Sequence, residues 1–160
     1  TEPFHPLIVS THPMDEGVVK RLADLVGGST LTNSRYLSHD IQAVMRRCGL
    51  FVGMRFHSLV LSSSVGVPVF GLVYAPKVRG LMREIDPESV LELADLTEDG
   101  FAAQLVDRWD RRAELLARQR PVIERFRTGA RETTVSLCRR LRGELSGAAP
   151  GDRAGSAEAA

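Results

Sequence analysis

Three side chains able to carry charge or move a proton fall at two junctions where an apolar run turns into a helical pattern. The first junction reads Gly53-Met54-Arg55-Phe56-His57-Ser58 and follows the run from Leu50; the second reads Tyr74-Ala75-Pro76-Lys77 and follows the run from Val67. Arg55 offers a guanidinium, His57 an imidazole, Lys77 an ammonium, and Ser58 a hydroxyl and an amide near a helix start. In an open parallel sheet, ligands bind outside the carboxyl ends of the strands, where the following helices present their first amides. If the chain stays extended from Arg55 to His57, side-chain alternation places both on one side and Phe56 on the other, toward apolar packing. Three cationic or titratable groups and one or two helix dipoles at one edge suit a small, densely anionic ligand. Arg79, two positions beyond Lys77 on a helix, faces away from that group.

Each residue also has an ordinary structural role open to it. Arg55 can pair with a surface carboxylate, His57 can bond to backbone at a helix start, and Lys77 can be a solvated helix residue. Their coincidence at two adjacent strand ends favours the site. His5, His12 and His39 lack such company and read as structural, with His12 a weaker second candidate because it too follows a strand. Gly53 and Gly71 read as close-packing positions, since neither a GxGxxG nor a Walker pattern is present. Cys48 and Cys138 have no partner at metal-ligand spacing and read as small core residues, so no metal or bound cofactor is expected.

The elements that must position these groups alternate. Pro6 to Ser10 is a β-branched run of the kind buried on both faces of a parallel sheet. A helix follows from Pro13, with Val18, Leu22 and Leu25 at helical spacing and Gly27-Gly28 as its stop. Ser29 to Thr32 is a second strand, and Ser38 can cap a helix bearing Ile41, Val44, Met45 and Cys48. Leu50 to Met54 is the third strand, with a helix from about His57 to Val65. Val67 to Tyr74 is the fourth, with a helix from Pro76 to about Ile85, and Val90 to Leu93 is a fifth. Such alternation predicts an α/β fold: a Rossmann-like parallel sheet flanked by helices on both faces.

From Glu98 the pattern is helical throughout. Trp109, Leu116, Ile123, Ala130 and Leu137 recur every seven residues as an apolar seam, and Pro121 predicts two helices or a kink near Arg120. Arginines fill the rest, among them Arg111, Arg112, Arg118, Arg125, Arg127, Arg131, Arg139 and Arg140. They read first as a solvated face and second as an attraction to anionic lipid or a lipid-linked acceptor. Few aromatics interleave with them and the net charge is only +1, so nucleic acid is not an expected partner. One domain is expected over residues 1–145, with a disordered tail at 146–160 where apolar mass is too low to offset ordering entropy.

With 43% apolar and 26% charged residues the composition is that of a globular domain. No apolar run is long enough for a spanning helix and the first residues lack signal-peptide order, so a cytoplasmic location is expected, with the inner face of the membrane as a variant. The chain opens at Thr1 directly before an apolar run, an opening expected of a piece of a longer protein.

The run from Leu50 to Leu61, then Gly66-Val67-Pro68-Val69, then Tyr74-Ala75-Pro76-Lys77-Val78-Arg79-Gly80, resembles the polysaccharide pyruvyl transferases. Those proteins carry a G-M-R-x-H junction, a G-V-P-V strand start and a Y-x-P-K-V-x-G turn in the same order. The resemblance, over about Pro6 to Leu145, implies one half, the carboxy-terminal one, of a GT-B-like fold with C-terminal helices. It implies transfer of an enolpyruvyl-derived group from phosphoenolpyruvate to two hydroxyls of a sugar, forming a pyruvate ketal. By the motif, His57 and Lys77 correspond to the family's phosphoenolpyruvate-contacting histidine and lysine, and Arg55 to its motif arginine. Phe56 stands where leucine is common, and a further arginine is expected from an amino-terminal half. Rival expectations are the donor half of a nucleotide-sugar glycosyltransferase or epimerase, and a non-catalytic remnant domain.

Overall fold

The computed structural model describes residues 4–147 and divides the chain into one unit up to Glu124 and another from Arg125. In the first unit Leu7–Ser10 (β1) pairs in parallel with Ser29–Thr32 (β2), Leu7 opposite Ser29. Phe51–Gly53 (β3), Val69–Val73 (β4) and Val90–Glu92 (β5) form a second parallel ladder in that order. The helices between them are Glu16–Val26 (α1), Ser38–Met45 (α2), Phe56–Ser64 (α3) and Pro76–Ile85 (α4). The architecture is therefore α/β with parallel sheets and flanking helices, as the alternation of elements requires.

The expected continuous sheet is instead two ladders, since among the described residues no hydrogen-bonded register joins β1 to β3. A single apolar core nevertheless spans both. Leu31 of β2 clusters with Ile41, Met45, Phe51, Leu59, Val69, Val78 and Met82, and Leu7 and Val9 pack against that group. Every residue of β4 but Leu72 is buried, the pattern of a strand covered on both faces.

Glycine acts in two ways here. Gly27 and Gly66, at φ 65° and 85°, end α1 and α3 in the left-handed region that a side chain disfavours. At Gly53 and Gly71 the constraint is space. A Cβ on Gly71 would lie 2.5 Å from Met82 Cγ, and one on Gly53 2.7 Å from Leu59 Cδ2. Close packing of α3 and α4 on β3 and β4 is thus what these positions serve. Gly71→Ala is expected to destabilise the domain by about 1–3 kcal/mol, because Met82 is buried and Cγ is not the free end of its chain. Urea denaturation checks this, and an unshifted midpoint would mean that Met82 can swing aside.

Two expectations about helix faces are corrected. On α1, Val18 and Leu25 are 70% and 81% exposed and Leu22 is exposed too, while Val19 and Ala23 are buried. A two-stranded sheet offers α1 a narrow surface, and two small residues fill it. On α2, Ile41 and Met45 are buried but Val44 is exposed. Ser38 is the first helical residue; Leu37 occupies the cap, where its N–H donates to the Asp40 carboxylate at 3.1 Å. The cysteine expectation also fails in part, since Cys48 packs at the edge of the core but Cys138 is exposed.

Glu98–Asp110 (α5) is capped by Thr97, whose Oγ1 accepts from the Gly100 N–H at 3.2 Å. Arg112–Gly147 (α6) follows after a break at Arg111, so the interruption falls earlier than expected and Pro121 lies inside a helix. Anchors on both sides hold the helix through that residue: Leu115 and Gln119 are buried, and Ile123 packs against the core. The seam read from the sequence is displaced as well, because Leu116 is only half buried and Leu137 is exposed. Trp109 is half-buried between the Phe4 ring, 5.1 Å away, and the Arg112 guanidinium, 4.5 Å from its ring centre. The tail expected at 146–160 lies, from residue 148, outside the described residues.

Gln119 explains how α6 attaches. Gly71 donates to the Ser89 carbonyl, so alternate residues of β4 face β5. Val69 faces the same way before β5 has begun, and its N–H and C=O would be orphans. The Gln119 carboxamide fills both, accepting from Val69 N and donating to Val69 O at 2.8 Å each. Beside it the buried Asp86 accepts from Arg118 at 2.8 Å and from the Ser89 hydroxyl at 2.7 Å. Arg118, itself exposed, thus reaches from the solvated face to the buried Asp86, and it also pairs with Glu88 at 3.2 Å.

Candidate active site at the carboxyl ends of the strands

Parallel register sets β3 and β4 to end side by side, with Gly53 opposite Gly71. Beyond Gly53 the chain turns at once. Arg55 is the N-cap of α3 with extended backbone (φ −83°, ψ 129°), and Phe56 is already helical. The Arg55 carbonyl accepts from the Leu59 N–H at 3.1 Å and from the Ser58 hydroxyl at 2.7 Å, which closes the first turn. His57 therefore sits in that turn, and the strand alternation expected to align it with Arg55 does not apply. Successive helical residues rotate by about 100°. Ser58 is buried and gives its one hydroxyl proton to Arg55, so toward an anion it retains only its backbone amide. Phe56 does turn inward, packing against the core with its ring edge-on to His57 at 5.7 Å between centroids.

Arg55 is paired. Its Nε donates to Asp15 Oδ2 at 2.9 Å and its Nη2 to Asp15 Oδ1 at 2.6 Å, a two-bond fork. Asp15 closes the 3-10 turn Pro13–Asp15 that follows β1, so this pair ties the β1 end to the β3 end across the gap between ladders. The same hydrogen bonds, aided by charge, push the Arg55 pKa above its ordinary value, and Tyr74 at the end of β4 adds a lesser contribution. Asp15 is held below the usual carboxylate value, chiefly by the bonds from Arg55; slight burial opposes this, and the charges of Arg55 and His12 reinforce it. Arg55 thus stands where three strand ends meet.

Lys77 is the second residue of α4, after Pro76, and is exposed. Among the described residues neither His57 nor Lys77 makes a side-chain hydrogen bond or ion pair. The caps of α3 and α4, Arg55 and Ala75, contribute no side-chain bond to the first-turn amides, and both helix starts carry their positive end uncovered by the cap. Arg79 forms its own fork with Glu92, the last residue of β5, at 2.7 and 2.8 Å. His12 caps the turn after β1, its Nδ1 accepting from the Met14 N–H at 3.3 Å, a structural role.

Sequence reading missed Asp15 and Tyr74. Asp15 has the look of an ordinary helix-start acid, but Ser10-Thr11-His12-Pro13-Met14-Asp15 is a third strand-to-helix junction and so borders the same edge. Among the described residues no group of three His, Cys, Asp or Glu is placed to hold a metal, and no helix is long and apolar enough to cross a membrane. An arginine of α5 and the one at its junction with α6 are engaged. Arg111 pairs with Glu114 at 3.0 Å, and Arg108 stacks on Phe70 and donates to the Glu88 carbonyl at 2.9 Å.

These features define an α/β domain with cationic side chains at adjacent helix starts, beside the carboxyl ends of its parallel strands. Residues 4–76 match the family model described as Polysaccharide pyruvyl transferase, the family that the order of motifs suggests. The match covers just under half of the chain and holds Arg55, His57 and Ser58; it closes at Pro76, one residue before Lys77. No solved structure matches the chain at a significant level.

Proposed function

We propose that this chain is the phosphoenolpyruvate-binding half of a polysaccharide pyruvyl transferase, with Arg55, His57, Lys77 and the first amides of α3 forming the donor site. The observation that carries this reading is the placement of Arg55 at the meeting of three strand ends, next to a helix start whose second residue is His57. Phosphoenolpyruvate carries roughly two and a half to three negative charges near neutral pH. Lys77, the uncapped start of α3 and the part of Arg55 outside its pair offset that charge.

His57 is the acid. Imidazoles ordinarily titrate near neutrality, and a bound anion beside one favours its charged form. The proton passes from His57 to the methylene carbon of the enol, leaving a cationic carbon that a sugar hydroxyl attacks. Phosphate departs with the C–O bond electrons, and a second hydroxyl of the same sugar closes the ketal. One hydroxyl proton restores His57 and the other leaves with phosphate, so the step balances. The acceptor is a sugar of a cell-surface polysaccharide or its lipid-linked precursor, and an amino-terminal half supplies the remaining arginine and the acceptor wall. Exposed arginines beyond Arg125 favour peripheral contact at the cytoplasmic membrane face.

Calorimetric titration of the full-length protein tests the reading. Phosphoenolpyruvate is expected to bind, and Lys77→Ala to weaken it by about tenfold, the effect of losing one charge-assisted contact. Binding of UDP-sugars without phosphoenolpyruvate would assign the edge to a glycosyltransferase or epimerase, and binding of neither would favour a remnant domain.

A further inference from the structure

We propose that Asp15 is a positioning residue of the donor site, holding the Arg55 guanidinium in the orientation that meets the anion. This rests on the donor reading given above. Arginine side chains carry about 2 kcal/mol of rotamer entropy, and a loose guanidinium at a strand end would have to be ordered each time a ligand arrives. The fork from Asp15 removes that freedom beforehand, because two parallel bonds at 2.9 and 2.6 Å define the guanidinium plane as well as its place. It uses Nε and Nη2, which leaves Nη1 outside the pair.

The pair is built from two separate strand ends, β1 through its 3-10 turn and β3 through the cap of α3. Between those strands no ladder sets the spacing among the described residues. Arg55 remains 46% exposed and Asp15 32%, so the pair stands open to a solute. Exposed ion pairs of this kind contribute little to stability, and removing the carboxylate is not expected to unfold the domain. Its consequence is orientation. An opposing effect exists, since a carboxylate beside the site repels an anionic ligand; if repulsion prevailed, Asp15 would weaken binding.

The two effects have opposite signs in one measurement. In the full-length protein, with phosphoenolpyruvate as the titrant, Asp15→Asn is expected to raise Kd about five- to tenfold and Asp15→Glu to restore it to within about threefold. Arg55→Ala is expected to raise Kd further, and the double variant to bind no more weakly than Arg55→Ala alone, because Asp15 acts through Arg55. Unchanged or tighter binding by Asp15→Asn, with Arg55→Ala still weakened, overturns the positioning role and leaves the donor reading intact. Multiplying losses in the double variant also overturn it. Absence of phosphoenolpyruvate binding by the parent protein overturns the donor reading and this inference together.

Discussion

His57→Ala in the full-length protein is expected to lower the turnover of pyruvyl transfer by about 10²–10⁴-fold, the usual worth of a positioned general acid. Phosphoenolpyruvate affinity should change far less. The residue lies in the first turn of α3 with an exposed side chain, so its removal creates no cavity and thermal unfolding should match the parent. Its ring touches Phe56 edge-on, which limits its motion without committing either ring nitrogen. Release of phosphate from phosphoenolpyruvate in the presence of acceptor is the measurement. Turnover within a few-fold of the parent would remove His57 from proton transfer and require another acid at this edge.

The second large effect concerns the fold that carries the site. Asp86→Ala is expected to destabilise the domain by about 2–4 kcal/mol, since it strips partners from Ser89, Arg118 and the Glu88 N–H in a buried network. Asp86→Asn should cost less, because an amide keeps part of the bonding. Burial of Asp86 by itself would raise its pKa, but the Arg118 and Ser89 hydrogen bonds outweigh it and hold the carboxyl below its ordinary 3.8. The unfolded chain therefore takes up the proton first on acidification, so acid favours unfolding through this group. Its contribution is complete above about pH 4 and is lost as pH falls through the lower folded-state value. Denaturation of the parent and Asp86→Asn between about pH 2 and 6 reads this directly: the gap should narrow only in the acid part of the range. A gap already closed at pH 5 would show that the charge of Asp86 does not stabilise the domain.

Both variants bear on a division of labour within the chain. Gln119 and Arg118 fasten α6 to the start of β4 and to Asp86, so the strand whose far end bears Tyr74 is anchored at its beginning. Met82 and Leu59 then press α4 and α3 onto Gly71 and Gly53, which brings the two helix starts close to their strand ends. The site depends on these contacts for its geometry and takes no chemistry from them.

The order of elements, the parallel pairing and the junctions that carry Arg55, His57 and Lys77 are legible in the residues alone, because apolar runs, glycine stops and helix-start residues are local signals. Which helix faces are buried is settled by the folded arrangement, as α1 shows: Val18 and Val19 are equally apolar, and the width of the sheet beneath selects between them. Folding alone joins Asp15 to Arg55 across forty positions, turns Ser58 inward, and makes Gln119 a surrogate strand partner. Long-range polar pairs leave no periodic trace in a sequence. They arise from the spacing of elements that meet only after the core has closed, and here that spacing sets where the charges of the candidate site stand.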